Sequence, residues 1–186
     1  VMANDNYAIT INLAENSKLL LTSQSSEKIH KMAVGYSATR TTTINLAANT
    51  YLQYTPLPTI PFADSDFQNT TTINMTDAAQ LVYLDIIAAG RVVRDEKFAF
   101  RRYHSLLDIN YNGKLIFRDN CLLKPDMQLT DFGMFENYTH LANLVIIGLD
   151  LSNETLNRVK ELLQNDIDGA ISQIPNGYLV RIFANT

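Results

Sequence analysis

The sequence is short of the residues on which most protein chemistry depends. Cys121 is its only cysteine in 186 residues, so no internal disulfide can form, as expected of a chain kept in a reducing compartment, and the expected location is cytoplasmic. Its seven glycines include no Gly-x-x-x-x-Gly-Lys-Ser/Thr or Gly-x-Gly-x-x-Gly run, which excludes the usual backbone cradle for nucleotide phosphates. The histidines His30, His104 and His140 are scattered, and no His-x-His, His-x-x-x-His or Cys-x-x-Cys spacing puts two strong ligands on one element. No tightly held metal or cofactor is therefore expected. No serine sits in a Gly-x-Ser-x-Gly elbow, so a nucleophilic triad has no visible anchor. Positive charge is scarce as well: 15 Lys and Arg stand against 19 Asp and Glu, a net charge of −4, and a nucleic-acid partner is not expected. The longest apolar stretch, Leu141–Leu151, is broken by Asn143 and Asp150 and falls short of the roughly 20 residues that span a bilayer. No membrane partner is expected.

What the chain does have is apolar content and a repeated word. Apolar residues make up 46% of the sequence, enough for one sizeable core, so residues 1–186 are expected to form a single domain. Thr10-Ile11-Asn12-Leu13 returns as Thr43-Ile44-Asn45-Leu46, as Thr72-Ile73-Asn74-Met75, and more loosely as Asp108-Ile109-Asn110-Tyr111. After each comes a short polar break and a second apolar run, at Leu19–Leu21, Leu52–Tyr54, Leu81–Tyr83 and Leu115–Phe117. Ile9, Ile11 and Leu13 alternate with Thr10 and Asn12, the period of a half-buried strand. Each unit reads as strand, turn, strand, and in the fourth Asn112-Gly113 supplies the positive φ values of a two-residue hairpin. A lone hairpin cannot bury its apolar face. The prediction is a mainly β fold of stacked or paired β-hairpins, layered and sandwich-like or irregularly β-helical. Threonine runs at Thr41–Thr43 and Thr70–Thr72 favour strands for the same segments.

Pro56, Pro58 and Pro61 remove backbone donors and make their segment an extended edge or a loop. A helical period appears only near the C-terminus, where Leu156, Val159, Leu163, Ile167 and Ala170 share a stripe and Ser152 or Asn153 can cap the start. The stripe predicts a helix over about residues 153–171, covering one sheet face. Leu144–Leu151 and Tyr178–Ala184 read as flanking strands, with Pro175 and Asn176-Gly177 stopping the helix.

Carboxylates are the one plentiful reactive group. A pair such as Asp64 and Asp66 could serve a carbohydrate-active enzyme on a stacked β scaffold, which is the alternative to a non-catalytic reading. Acids after a proline-rich segment are routine in turns, however, and Asp95-Glu96 is flanked by Arg94 and Lys97. Asp85 is different: inside Leu81-Val82-Tyr83-Leu84-Asp85-Ile86-Ile87 it must be at least partly buried, and a buried carboxylate calls for a partner. Arg91 is the candidate nearest in sequence. Sequons at Asn69, Asn74, Asn137 and Asn153 leave a secreted repeat-type binding module as a third reading, although such triplets arise readily in a chain rich in Asn and Thr. The chain opens at Val1 in a strand-like pattern and is expected to be an internal fragment.

The order Leu20-Leu21-Thr22-Ser23-Gln24-Ser25-Ser26-Glu27-Lys28-Ile29, then Leu57-Pro58-Thr59-Ile60-Pro61-Phe62, then Gly90-Arg91 with Glu96 and Phe98, resembles the urease accessory proteins of the UreD/UreH family. The resemblance covers most of the chain and implies that an N-terminal portion and a C-terminal tail lie outside it. Two departures concern turns: Asp95 stands where the family pattern Gly-Arg-x-x-x-Gly-Glu has glycine, and Asn4 replaces a usual glycine. The resemblance implies a predominantly β fold with two helices and a non-catalytic scaffold and nickel-delivery chaperone for urease. It further implies direct binding to UreF, recruitment of the GTPase UreG through UreF, and docking on apo-urease. It also implies an internal passage for transient Ni2+, with Asp5, Glu27, Asp85 and Asp119 as acidic candidates along it and Glu96 as a further one. Weak carboxylate ligands suit transit better than imidazole or thiolate, which would trap the ion.

Overall fold

The computed structural model describes residues 1–165 and 167–185. In chain order the strands are β1 (Asn6–Leu13), β2 (Lys18–Leu21), β3 (Glu27–Ile29), β4 (Ala38–Leu46), β5 (Tyr51–Tyr54), β6 (Thr59–Pro61), β7 (Asp66–Met75), β8 (Gln80–Ala88), β9 (Arg102–Tyr111), β10 (Lys114–Leu123), β11 (His140–Ile147), β12 (Gly169–Ile174) and β13 (Gly177–Ala184), with a helix α1 (Asn153–Asn165) between β11 and β12. They form two facing sheets. One is ordered β1-β4-β7-β9-β10; the other runs β12-β13-β11-β8-β5-β2, with β3 and β6 attached to it.

The sequence echo is the register of the first sheet. Thr10, Thr43, Thr72 and Asp108 are successive partners across β1, β4, β7 and β9, and so are Ile11, Ile44, Ile73 and Ile109. These pairings are parallel, as are those of β2 with β5 and β5 with β8. The mainly β, stacked architecture is as expected, but the first three units are not hairpins. Each sends one strand to each sheet, and the chain coils, so that every strand pairs with its equivalent one coil away. Only the fourth unit closes on itself: β9 and β10 are antiparallel across Asn112-Gly113. The stacked isoleucines explain the preference. Ile44, Ile73 and Ile109 are wholly buried, and each such side chain contributes about 1.5–3 kcal/mol. On the outer face Asn45 donates to Asn12 at 2.8 Å, Asn74 to Asn45 at 2.9 Å and Asn110 to Asn74 at 3.1 Å, a side-chain ladder that requires the same register. The corners stack too: Asn16, Asn49 and Ala78 all have positive φ, and Asn16 donates to the Ala48 carbonyl while Asn49 donates to that of Asp77.

The C-terminal part differs from expectation in one element. Ser152 caps α1 by accepting from the Thr155 amide at 3.1 Å, but the helix ends at Asn165 instead of near 171, and Ala170 and Ile171 belong to strand β12. Gly169 is pressed so close to β13 that a Cβ would lie 2.6 Å from the Arg181 carbonyl. Pro175 and Asn176 form the turn into β13, with Asn176 at φ 60, so they close a hairpin instead of stopping a helix. Among the described residues α1 is the single α-helix, where the resemblance implied two; Val92–Arg94 and Pro125–Met127 are short 3-10 turns. Leu163 of α1 is buried, and the helix packs on β12. No described helix is long and apolar enough to cross a membrane.

Candidate functional site

Coiling places one residue from each coil in a transverse row, so a polar residue repeated at one level makes a polar cross-section. Such a row occurs once in the middle of the molecule. Tyr7, Arg40, Asn69, Ser105 and Cys121 are successive register partners across the first sheet. In the second sheet Asp85, Asn143 and Arg181 are likewise partners across β8, β11 and β13. The two rows separate two apolar clusters. One contains Ile44, Leu46, Ile73, Leu81, Ile109 and Val145; the other contains Ile29, Phe67, Phe100, Tyr103, Leu123 and Leu141.

Hydrogen bonds form two clusters along this seam, one toward each end. Tyr7 Oη donates to Glu27, and Arg40 forms an ion pair with the same carboxylate. Arg40 Nε donates to Asn69 at 2.9 Å, and Asn69 Nδ2 donates to Ser105 at 3.1 Å. At the other end Arg181 donates to Asn143 at 2.8 Å and to Asp119 at 2.9 Å, while Asn143 donates to Asp119 at 3.4 Å. A cavity of about 190 Å3 leads from Ser23, Ser25, Pro56 and Leu57 past Glu27, Arg40 and Thr71 to Asp85, which keeps part of its surface accessible.

Asp85 is the exception in this network. It takes part in no ion pair among the described residues. Burial pushes its carboxyl above the usual carboxylate range, opposed by the Arg40 charge and reinforced by Asp119 and Glu27. Arg91, the partner expected from sequence, is elsewhere: it pairs with Glu96 and lies over the Phe62 ring at 4.3 Å. Alternation explains this, because Asp85 points between the sheets whereas Arg91 follows the Gly90 turn at the end of β8. The Cys121 thiol is pushed up to about 12 by burial and by the Asp119 and Asp85 charges, so it stays protonated at neutral pH. Although burial works against its charge, the Glu27 carboxylate holds the pKa of Arg40 above its usual value. The Tyr103 hydroxyl, from the neighbouring inward-facing row, is buried without a hydrogen-bond partner among the described residues, an arrangement that costs about 1–3 kcal/mol unless water fills it.

Of the acids named from sequence, Glu27, Asp85 and Asp119 are brought to the seam. Asp5 is not: it is exposed and caps a surface turn, accepting from the Met2 amide at 2.6 Å. Glu96 belongs to the Gly90–Phe98 loop, where Arg91 holds its carboxyl below the usual range and the Ala63 amide donates to it at 3.3 Å. Asp64 and Asp66 each have their own cation, Lys31 at 2.9 Å and Arg102 at 2.8 Å. Among the described residues no three His, Cys, Asp or Glu side chains converge on one point. The sequon at Asn69 is buried within the seam. Asn143 and Arg181 escaped the sequence reading, although both interrupt apolar strands and that interruption was the available signal. The two departures from the family turn pattern have a common explanation: Asn4 has φ 64 and Asp95 φ 59, the left-handed region that glycine prefers and that Asn and Asp tolerate best among other residues.

Comparison of the sequence with known proteins identifies the family. The family model described as UreD urease accessory protein matches residues 1–186. A urease accessory protein UreD from Acetivibrio thermocellus is 38% identical over 190 residues, covering all of this chain and 72% of its own length. A urease accessory protein UreH from Helicobacter acinonychis is 39% identical, covering 96% of this chain and 67% of its own length. A urease accessory protein UreD from Staphylococcus aureus is 32% identical over 97% of the chain. The chain belongs to the UreD family of urease accessory proteins.

Proposed function

We propose that this protein is a non-catalytic cytoplasmic chaperone of urease maturation, and that Ni2+ on its way to apo-urease passes through the polar seam between its two apolar clusters. It binds UreF directly, and through UreF the GTPase UreG, so the phosphate loop missing from this chain is supplied by a partner. One observation carries the reading: a cavity reaches a carboxylate, Asp85, that forms no ion pair among the described residues, in the polar seam between two apolar clusters. A structural ion pair would be expected to pair its acid. The chemistry of the row suits transit. Carboxylates, amides and hydroxyls bind Ni2+ weakly, and the one thiol present is kept protonated. The unpartnered Tyr103 hydroxyl supplies a further polar group that passing water can satisfy.

The test replaces Asp85 by Ala, and separately by Leu, in the full-length protein co-expressed with urease and its other accessory proteins. Slower urease activation with an intact UreF complex is the expected result. Loss of the UreF complex would show instead that Asp85 is structural, and unchanged activation by the Leu variant would remove the passage.

A further inference from the structure

A mostly apolar hollow lies away from the seam, on the outer face of the second sheet. It has a volume of about 550 Å3 and is lined by Ile60, Phe62 and Ala88 on its floor and by Lys28, Val93 and Arg94 at its rim. Strand alternation separates the two sites: Glu27 of β3 enters the seam, whereas the next residue, Lys28, faces outward as the register partner of Ile60. No carboxylate lines this hollow, although the protein as a whole is acidic. Lys28 and Arg94 are exposed there without an ion-pair partner among the described residues.

The rim is a rigidly built loop. Gly90 sits at φ 135, where a Cβ would lie 2.5 Å from the Glu96 carbonyl. Arg91 is clamped between the Phe62 ring and Glu96, and Phe98, itself at φ 51, anchors the far end by packing against Phe135 at 5.0 Å. Left-handed backbone at a bulky residue costs of order 1–3 kcal/mol. Val93 is 100% exposed at the tip.

We propose that this hollow docks an acidic amphipathic segment of a partner protein. One apolar side chain rests on Ile60, Phe62 and Val92, and flanking carboxylates meet Lys28 and Arg94. A segment of chain fits better than a small apolar acid, because Val93 at the rim is fully exposed and is covered only by something that extends past the apolar floor. The pattern of apolar floor and charged rim is that of a helix-in-groove site.

The test uses purified protein and two fluorescein-labelled helical peptides of about four turns with the same leucine face, flanked by glutamate in one and by lysine in the other. Fluorescence anisotropy should show saturable, salt-sensitive binding of the glutamate peptide alone. The surface variants K28E and R94E should each weaken it by about tenfold, and V93D should weaken it with less salt dependence, all with unchanged circular dichroism. Equal binding of both peptides, no binding of either, indifference to K28E and R94E, or binding of dodecanoate in place of the peptide would overturn the proposal. The assay contains neither nickel nor urease, so its failure and that of the maturation reading are separable.

Discussion

Arg40 of β4 and Glu27 of β3 pair across the gap between the two sheets, with side-chain exposures of only 15% and 22%. Arg40 also lies over the Phe67 ring at 5.8 Å and donates to Asn69. Removing one member of a pair this enclosed leaves an uncompensated charge. Arg40→Met is expected to destabilise the protein by about 3 kcal/mol, whereas adding Glu27→Gln should recover much of the loss. Chemical denaturation of the two single variants and the double checks this, and purely additive losses would contradict it.

Asp85 makes stability depend on pH in a stated direction. Its carboxyl titrates higher in the folded protein than in the unfolded chain, so the folded state binds the extra proton. Stability attributable to this group is therefore greatest below the ordinary carboxylate range and falls as pH rises through the interval between the two values. Asp85→Asn removes that penalty. Its advantage over the parent should be absent in acid and grow toward neutrality. Asp108, held below the usual range by Arg118, acts in the opposite sense: its contribution is present near neutrality and is lost in acid.

Three corners stack at Asn16, Asn49 and Ala78, all with positive φ. Alanine is the least suited of these residues to that conformation. Ala78→Asn is expected to raise stability by about 0.5–1 kcal/mol, and Asp95→Gly to be neutral or mildly favourable, while Asp95→Val should lose about 1–2 kcal/mol. Thermal melts of the three variants decide the matter.

The inner isoleucine row and the outer asparagine ladder share a register but differ in burial. Ile73, wholly buried, should cost about 3 kcal/mol on replacement by Ala. Asn74, exposed and bonded to both Asn45 and Asn110, should cost about 1 kcal/mol. A larger loss at Asn74 than at Ile73 would mean that the ladder, not the core, holds the coils together.

The register was legible in the sequence because parallel stacking sets like residues on like: the Thr-Ile-Asn word is a ladder of partners written along the chain. The pairing partner was not. A strand, a turn and a strand have the same alternation whether they close on each other or each joins the next coil, and only the Asn112-Gly113 turn distinguishes the true hairpin. The helical stripe ran past its end because Ile167 and Ala170 keep the period by coincidence, whereas the helix stops at Asn165 and Gly169 already opens β12. Asp85 was recognised as buried from its apolar neighbours, but its electrostatic environment comes from Arg40 and Asp119 on other strands, which proximity in sequence cannot reveal. Glu27 and Asp119 came from family resemblance alone. Asn143 and Arg181 could have been found by asking which polar residues interrupt otherwise apolar strands.

Phe67 and Ile73 belong to the same strand, yet the seam assigns them to different clusters. They lie about 20 Å apart along β7, with Asn69 and Thr71 between them facing the gap. Two such residues are close neighbours in sequence and strangers in packing, so the energetic losses from damaging both should simply sum. The polar seam therefore also insulates, keeping a disturbance in either half from reaching the other.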